Sequence, residues 1–273
     1  MKRTALILAG GAGTRLRPLS SDENPKQFLR IFDGQSLLQK TFARVTRIVP
    51  VDAIYVSTND QYQDKCREQL PQLPGTNILT EPARRNNAPA IALCCFEIES
   101  RQGETLIAVL ASDHYIEDEE EFAKVLGRAY DFAAGSEYLV TIGIQPTEPN
   151  TGYGYLQLDG EIDSGVIRIV RFTEKPSLET AKQFLAAGNY AWNASMFIWR
   201  SSVFRRELER AAPEIAVVTR QNYESMPSIS IDYALMEKAP HVAAIRGDFG
   251  WSDVGSFEAL KRVGIDVDAL LKR

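Results

Sequence analysis

With 273 residues, 44% of them hydrophobic, the chain is long enough to bury a large core, and 36 acidic against 31 basic residues (net −5) exclude a general nucleic-acid or membrane-surface binder. No stretch reaches the roughly 18 apolar residues of a membrane-spanning helix. Cys66, Cys94 and Cys95 form no CxxC or Cys/His cluster, so neither a disulfide framework nor a zinc site is supported; buried thiols in a reducing, cytoplasmic setting are expected.

The first element is a strand over 4–9 (TALILA). It is too short for the roughly 7–15-residue apolar core of a signal peptide, although Met1-Lys2-Arg3 precedes it. A helix over 36–49, with Ser36 as N-cap, and a strand over 53–58 follow. Next come a polar helix near 60–70, a strand at 77–80, and a helix from Ala88 with Pro89 in its first turn. A strand at 105–111, a helix from about Glu119 and a strand at 138–144 complete this half. Strands spaced by helices require crossover connections, which predicts an α/β fold: a doubly wound, mostly parallel, Rossmann-like sheet. After residue 145, PTEPNTGYGYLQL, GVIRIVRF and YAWNASMFIW read as strands separated by turns, a smaller mixed β region inserted into or leaning on that sheet. Helices near 201–211 and 255–263 close the chain, and no linker or repeat divides it, so a single domain over 1–273 is expected.

The strand at 4–9 runs directly into Gly10-Gly11-Ala12-Gly13-Thr14-Arg15. Glycines let backbone N–H groups approach phosphate oxygens. A dinucleotide fingerprint would need glycine where Leu16 stands, which excludes an NAD-dependent oxidoreductase, and the Gly-Lys-Ser/Thr of a P-loop is missing. A plain tight turn is the alternative reading. Cations decide against it: Lys2, Arg3, Arg15, Arg17, Lys26 and Arg30 against Asp22 and Glu23 make residues 1–30 net positive in an otherwise acidic chain.

Asp113 follows a buried apolar run, at the strand end where open α/β sheets bind ligands, and Asp253 lies in GWSDVGS. Two carboxylates on separate loops, completed by phosphate oxygens, suit Mg²⁺; each alone also reads as a helix N-cap. His114 reads as a structural hydrogen-bonder. Glu174-Lys175 follows a strand and by itself reads as a surface ion pair. Gly154 permits close approach of a ligand, Asn193 can donate and accept, and Trp192, Phe197 and Trp199 read as core.

LAGGAGTRL, PKQFL, EPARRNNAPAIAL, LASDHYI, PNTGYGYL, FTEKPS, WNASMF, IDYALMEKAPHV and GWSDVGSF, in this order, resemble the sugar-1-phosphate nucleotidyltransferases from about Thr4 to about Arg262. PKQFL is most similar to the mannose-1-phosphate guanylyltransferase family. The resemblance implies GTP and mannose 1-phosphate as substrates, Mg²⁺ on Asp113 and Asp253, and Arg15, Lys26 and Lys175 as catalytic cations. Leu8, Ala9, Gly10, Gly11, Gly13, Thr14, Glu81, Asn86, Ser112, Gly154, Glu174 and Asn193 are the implied substrate-binding positions. A nucleotide-binding part over about 1–145 and a sugar-binding part over about 146–255 follow. Glu81 is a candidate acceptor for guanine N1–H and its 2-amino group. The stretch around it alternatively does no more than cap the helix near Pro89.

Arg17 stands where this family usually has Trp, Asn87 where it has Thr, and Ser195 where it has Gly. Ser195 keeps another NTP or sugar 1-phosphate open as substrate. A non-catalytic nucleotide-sugar sensor is the rival of another class, and it would be expected to lack one of the charged residues found here. The C-terminal β segment usual in the family is expected to be absent, which bears on whether a homodimer forms.

Overall fold

The computed structural model describes residues 1–11 and 13–271. Strands β1 (Arg3–Leu8), β2 (Ile54–Asn59), β3 (Ile78–Glu81) and β4 (Leu106–Ala111) pair in parallel in the order β3-β2-β1-β4. Helices α1 (Leu37–Val45), α2 (Gln63–Gln69) and α3 (Asn87–Gln102) make the crossovers. Alternate residues explain why β4, and β1 from Ala5 onward, are apolar without interruption. Ala5, Ile7, Ala108 and Leu110 pack with Phe42 and Val45 of α1 on one face, while Leu6, Ile107 and Val109 pack with Ile91 and Ile98 of α3 on the other.

Helix starts follow local chemistry. Ser36 Oγ accepts from the Gln39 N–H at 3.1 Å and the Gln39 side chain accepts from the Ser36 N–H at 3.0 Å, a complete capping box. The helix expected to reach residue 49 ends at Val45, and turns carry the chain on to β2. α3 begins at Asn87, one residue earlier than expected, capped by Asn86.

Beyond β4 lie β5 (Tyr115–Ile116), α4 (Glu119–Gly135), β6 (Leu139–Ile144), β7 (Tyr155–Asp163) and β8 (Val166–Thr173). Then come α5 (Leu178–Ala187), β9 (Tyr190–Arg200), α6 (Ser201–Ala211), β10 (Val242–Gly247) and β11 (Trp251–Ser252). Of the later strands, β6 to β10 join the first four in a nine-stranded mixed sheet, β3-β2-β1-β4-β9-β6-β10-β8-β7, while β5 and β11 pair only with each other. β9 runs antiparallel between β4 and β6, so of the two placements expected for the β region, inserted into the sheet or leaning on it, it is the insertion that the structure has. Two short helices, Phe257–Arg262 and Val267–Leu270, end the described chain.

Phe197 and Trp199 are buried, with Trp199 stacked on Phe204 at 4.6 Å, and Trp192 is buried on β9. Cys66, Cys94 and Cys95 are buried free thiols. Desolvation pushes Cys66 up to about 11. Among the described residues no helix is long and apolar enough to cross a membrane.

Candidate active site

The strand ends that carry the motifs converge. A cavity of about 360 Å³ over the carboxyl ends of the parallel strands is lined by Leu8, Gly10, Gly11, Glu81, Asn86, Ser112 and Asp113 among others. A second, of about 460 Å³, is lined by Arg15, Lys26, Gly154, Glu174, Lys175, Asn193, Asp253 and again Asp113. Asp113 therefore stands where the two meet. The antiparallel pairing of β5 with β11, Ser252 opposite Tyr115 and Trp251 opposite Ile116, ties the loop after β4 to the loop after β10. That ribbon brings Asp113 and Asp253 to one wall.

Lys26 links them. Its Nζ lies 2.9 Å from Asp113 Oδ2 and donates to the Asp253 carbonyl at 2.6 Å, with the lysine side chain 5% exposed. Burial works to raise the Asp113 carboxyl, but Lys26, aided by His114, outweighs it and holds the pKa below the ordinary carboxylate value. Arg15 approaches Asp253 Oδ2 at 3.6 Å, and Tyr153 donates to Asp253 Oδ1 at 3.0 Å. His114 is buried and accepts from Trp251 Nε1 at 3.2 Å; desolvation lowers its pKa to about 4, so it is a neutral hydrogen-bonder at physiological pH. Asp113 and Asp253 thus present hard oxygen donors to one cavity beside an open face. Among the described residues no group of three or more His, Cys, Asp and Glu forms a closed cage. Two carboxylates completed by phosphate oxygens fit Mg²⁺, which seldom takes an all-protein set.

Three loop positions stand behind these walls. Ala9 is buried, its carbonyl bonded by Gln27 Nε2 at 2.9 Å and Thr58 Oγ1 at 3.1 Å. Gly13 has φ +61°, and a Cβ there would come within 2.7 Å of the Lys26 backbone N, so glycine lets the loop lie against Lys26. Thr14 is exposed and begins a 3₁₀ turn through Leu16.

Glu81 is buried, accepting from Asn59 Nδ2 at 2.7 Å and from the Tyr223 hydroxyl; desolvation raises its pKa. Gly10 makes room for it, since a Cβ there would sit 2.5 Å from Glu81 Oε1. Asn193 has less freedom than its residue type suggests. Its Oδ1 takes Thr141 Oγ1 at 2.9 Å and the Ser195 N–H at 3.1 Å, and its Nδ2 donates to Asp232 Oδ1 at 3.1 Å. One N–H is left for a ligand. Lys175 pairs with Glu174 and has φ +46°. Of the unusual motif positions, Arg17 pairs with Asp22 at 2.6 Å, and Asn87 Oδ1 accepts from the Ile231 N–H at 2.7 Å, which ties α3 to the segment before Asp232.

The nucleotidyl transferase family model matches residues 4–268. The chain belongs to the nucleotidyl transferase family. Among curated relatives, the xanthan biosynthesis protein XanB of Xanthomonas campestris pv. campestris (strain ATCC 33913) is 41% identical over 93% of this chain and 58% of its own length. Mannose-1-phosphate guanylyltransferase RfbM of Salmonella typhimurium is 38% identical over 93% of this chain and 57% of its own. The chain thus spans somewhat over half the length of these relatives. A crystal structure described as mannose-1-phosphate geranyltransferase from Thermus thermophilus matches with a TM-score of 0.88 at 35% identity, over 96% of this chain and 79% of its own. The Rossmann-like α/β fold of the family is the fold of this chain.

Three contributors were given no role by the motif reading, although Asp232 lies within its IDYALMEKAPHV stretch. Tyr223 and Asn59 hold Glu81, and Asp232 holds Asn193. The signal for Asp232 is a lone acid inside the apolar run ISIDYALM.

Proposed function

We propose that the chain transfers GMP from GTP to α-D-mannose 1-phosphate, releasing pyrophosphate. The observation that carries this reading is the junction at Asp113: a cavity carrying the glycine loop and Glu81 meets a cavity carrying Lys175, Glu174 and Asn193. A nucleotide in the first and a sugar phosphate in the second bring their phosphates together beside Lys26. A phosphate oxygen of the sugar phosphate then forms a bond to the α-phosphorus as the bond to the bridging oxygen of pyrophosphate breaks. No side-chain nucleophile is required, so positioning and charge neutralisation supply the catalysis.

Arg15 and Lys26 offset the charge that develops on the departing pyrophosphate. Lys175, a compact cation beside Glu174, aligns the attacking phosphate. Asp113 and Asp253 would hold Mg²⁺, which when bound supplies charge neutralisation at the phosphates. Glu81 is the base-reading group: a carboxylate accepts from both guanine N1–H and the 2-amino group, and its two hydrogen-bond donors fix its plane.

Pyrophosphate release, measured for each NTP against a panel of sugar 1-phosphates, tests this reading. GTP with mannose 1-phosphate should give the highest kcat/KM. Preference for UTP or dTTP, or for glucose 1-phosphate, would overturn the substrate assignment and leave the fold untouched.

A further inference from the structure

We infer that Ser195 is a specificity-determining residue, its hydroxyl reading one ring hydroxyl of the sugar phosphate; this rests on the reading of the second cavity as the sugar site. β9 pairs with β6 through Phe197 opposite Thr141 and then Asn193 opposite Gly143, so residues 194–196 bulge out against Ile142 alone. Ser195 sits at the crest with φ +52°, a conformation in which a Cβ is disfavoured and glycine is at ease.

The bulge is pinned from both sides. The Thr141 hydroxyl lies 2.9 Å from Asn193 Oδ1 before the crest and 3.0 Å from the Met196 carbonyl after it. The Ser195 N–H donates to the same Asn193 oxygen at 3.1 Å, and Asn193 is itself held by buried Asp232. These buried groups leave the Ser195 side chain lining the cavity with Gly154, Glu174 and Lys175. Lys175 is the second non-glycine residue at positive φ on that wall. Backbone strain gathered on a ligand-facing wall, where glycine would remove it at no cost to the turn, points to a side chain retained for contact. Ser195 offers one donor and two acceptor positions to a polyol, beside the one free N–H of Asn193.

The experiment compares wild type, Ser195→Ala and Ser195→Gly with GTP and mannose 1-phosphate, or its 2-, 3-, 4- and 6-deoxy analogues. In wild type, kcat/KM should fall roughly 10- to 100-fold for one analogue through the loss of this contact. Both variants should lose a similar factor on mannose 1-phosphate and show no further loss on that one analogue, while discriminating the other three as before. The KM for GTP should not change, and Ser195→Gly, which relieves the strained φ, should melt no lower than wild type. Variants that discriminate all four analogues as wild type does would overturn the inference. So would a uniform loss on every sugar together with a raised KM for GTP. If wild type instead prefers another sugar 1-phosphate, the substrate reading fails separately, and the deoxy series of that sugar decides Ser195 by the same two outcomes.

Discussion

Lys26, proposed to act on the departing pyrophosphate, carries a structural load of its own. It is buried, yet its ammonium meets the Asp113 carboxylate and the Asp253 carbonyl, so its charge is compensated within the protein before any anion arrives. Lys26→Gln leaves Asp113 without its cation. Removing one partner of a buried pair costs about 3–5 kcal/mol, and the lower end applies because the Asp113 side chain stays 35% exposed. Thermal melting should show a drop of roughly 5–10 °C at neutral pH. The Lys26→Gln/Asp113→Asn double variant should recover part of it, since neither charge is then unpaired. A double variant whose loss equals the sum of the two single losses would show that the pair is not coupled. The charged residues that line these cavities were picked out in the sequence by the ordered motifs in which they sit, since taken singly each also reads as a helix cap or a surface ion pair. Tyr223, Asn59 and Asp232 were not legible, because their importance comes from burial against Glu81 and Asn193, 22 to 142 positions away in sequence.

At the level of elements, the alternation of apolar runs and helical patterns located the strands and helices of the first half to within a few residues, and Ser36 and Pro89 marked helix starts because capping is local chemistry, whereas α5, which stands where only a turn was expected, and the strands β5, β10 and β11 were not anticipated. Strand order was not local. Nothing in YAWNASMFIW distinguishes a strand at an edge from one antiparallel in the middle of the sheet, since either can be apolar throughout. The segment opposite the β9 bulge is a single π-turn at Asp232–Met236, and its first residue carries the buried carboxyl that holds Asn193. Desolvation chiefly, with the nearby Glu174 charge adding to it and Lys175 and Ser230 opposing, raises the Asp232 pKa to about 7. A carboxyl with a raised pKa in the folded state contributes stability that is present below its unfolded value near 4 and is lost as pH rises through about 7. Asp232→Asn removes that dependence. Relative to wild type, the variant should therefore gain in Tm between pH 5 and pH 8, by an amount on the order of a few kcal/mol of stability. A difference in Tm that stays flat across that range would mean Asp232 is ionised throughout.

Across the whole molecule, the fold must bring Asp113 and Asp253, 140 positions apart, to one wall. It does so with the β5–β11 ribbon and with Tyr153, whose hydroxyl holds Asp253 and whose ring packs against Trp251 at 5.1 Å. The two carboxylates differ in surroundings. Asp113 is paired to a buried lysine, whereas Asp253 faces an Arg15 side chain that is 69% exposed. Asp113→Asn should accordingly lower the melting temperature by leaving the Lys26 charge unpaired, while Asp253→Asn, which can still accept from Tyr153 and the Gly255 N–H, should melt close to wild type. On turnover the two should be alike. If both carboxylates act through one divalent ion, each variant should lose orders of magnitude in kcat, and the double variant should be little worse than either single one, because residues that work as a unit are not additive. Binding of Mn²⁺ to the GTP-loaded protein, followed by electron paramagnetic resonance, gives a readout independent of turnover and should weaken in both single variants. Independent losses that multiply in the double variant, with Mn²⁺ binding unchanged in one of the singles, would show that this residue serves the reaction without holding the ion.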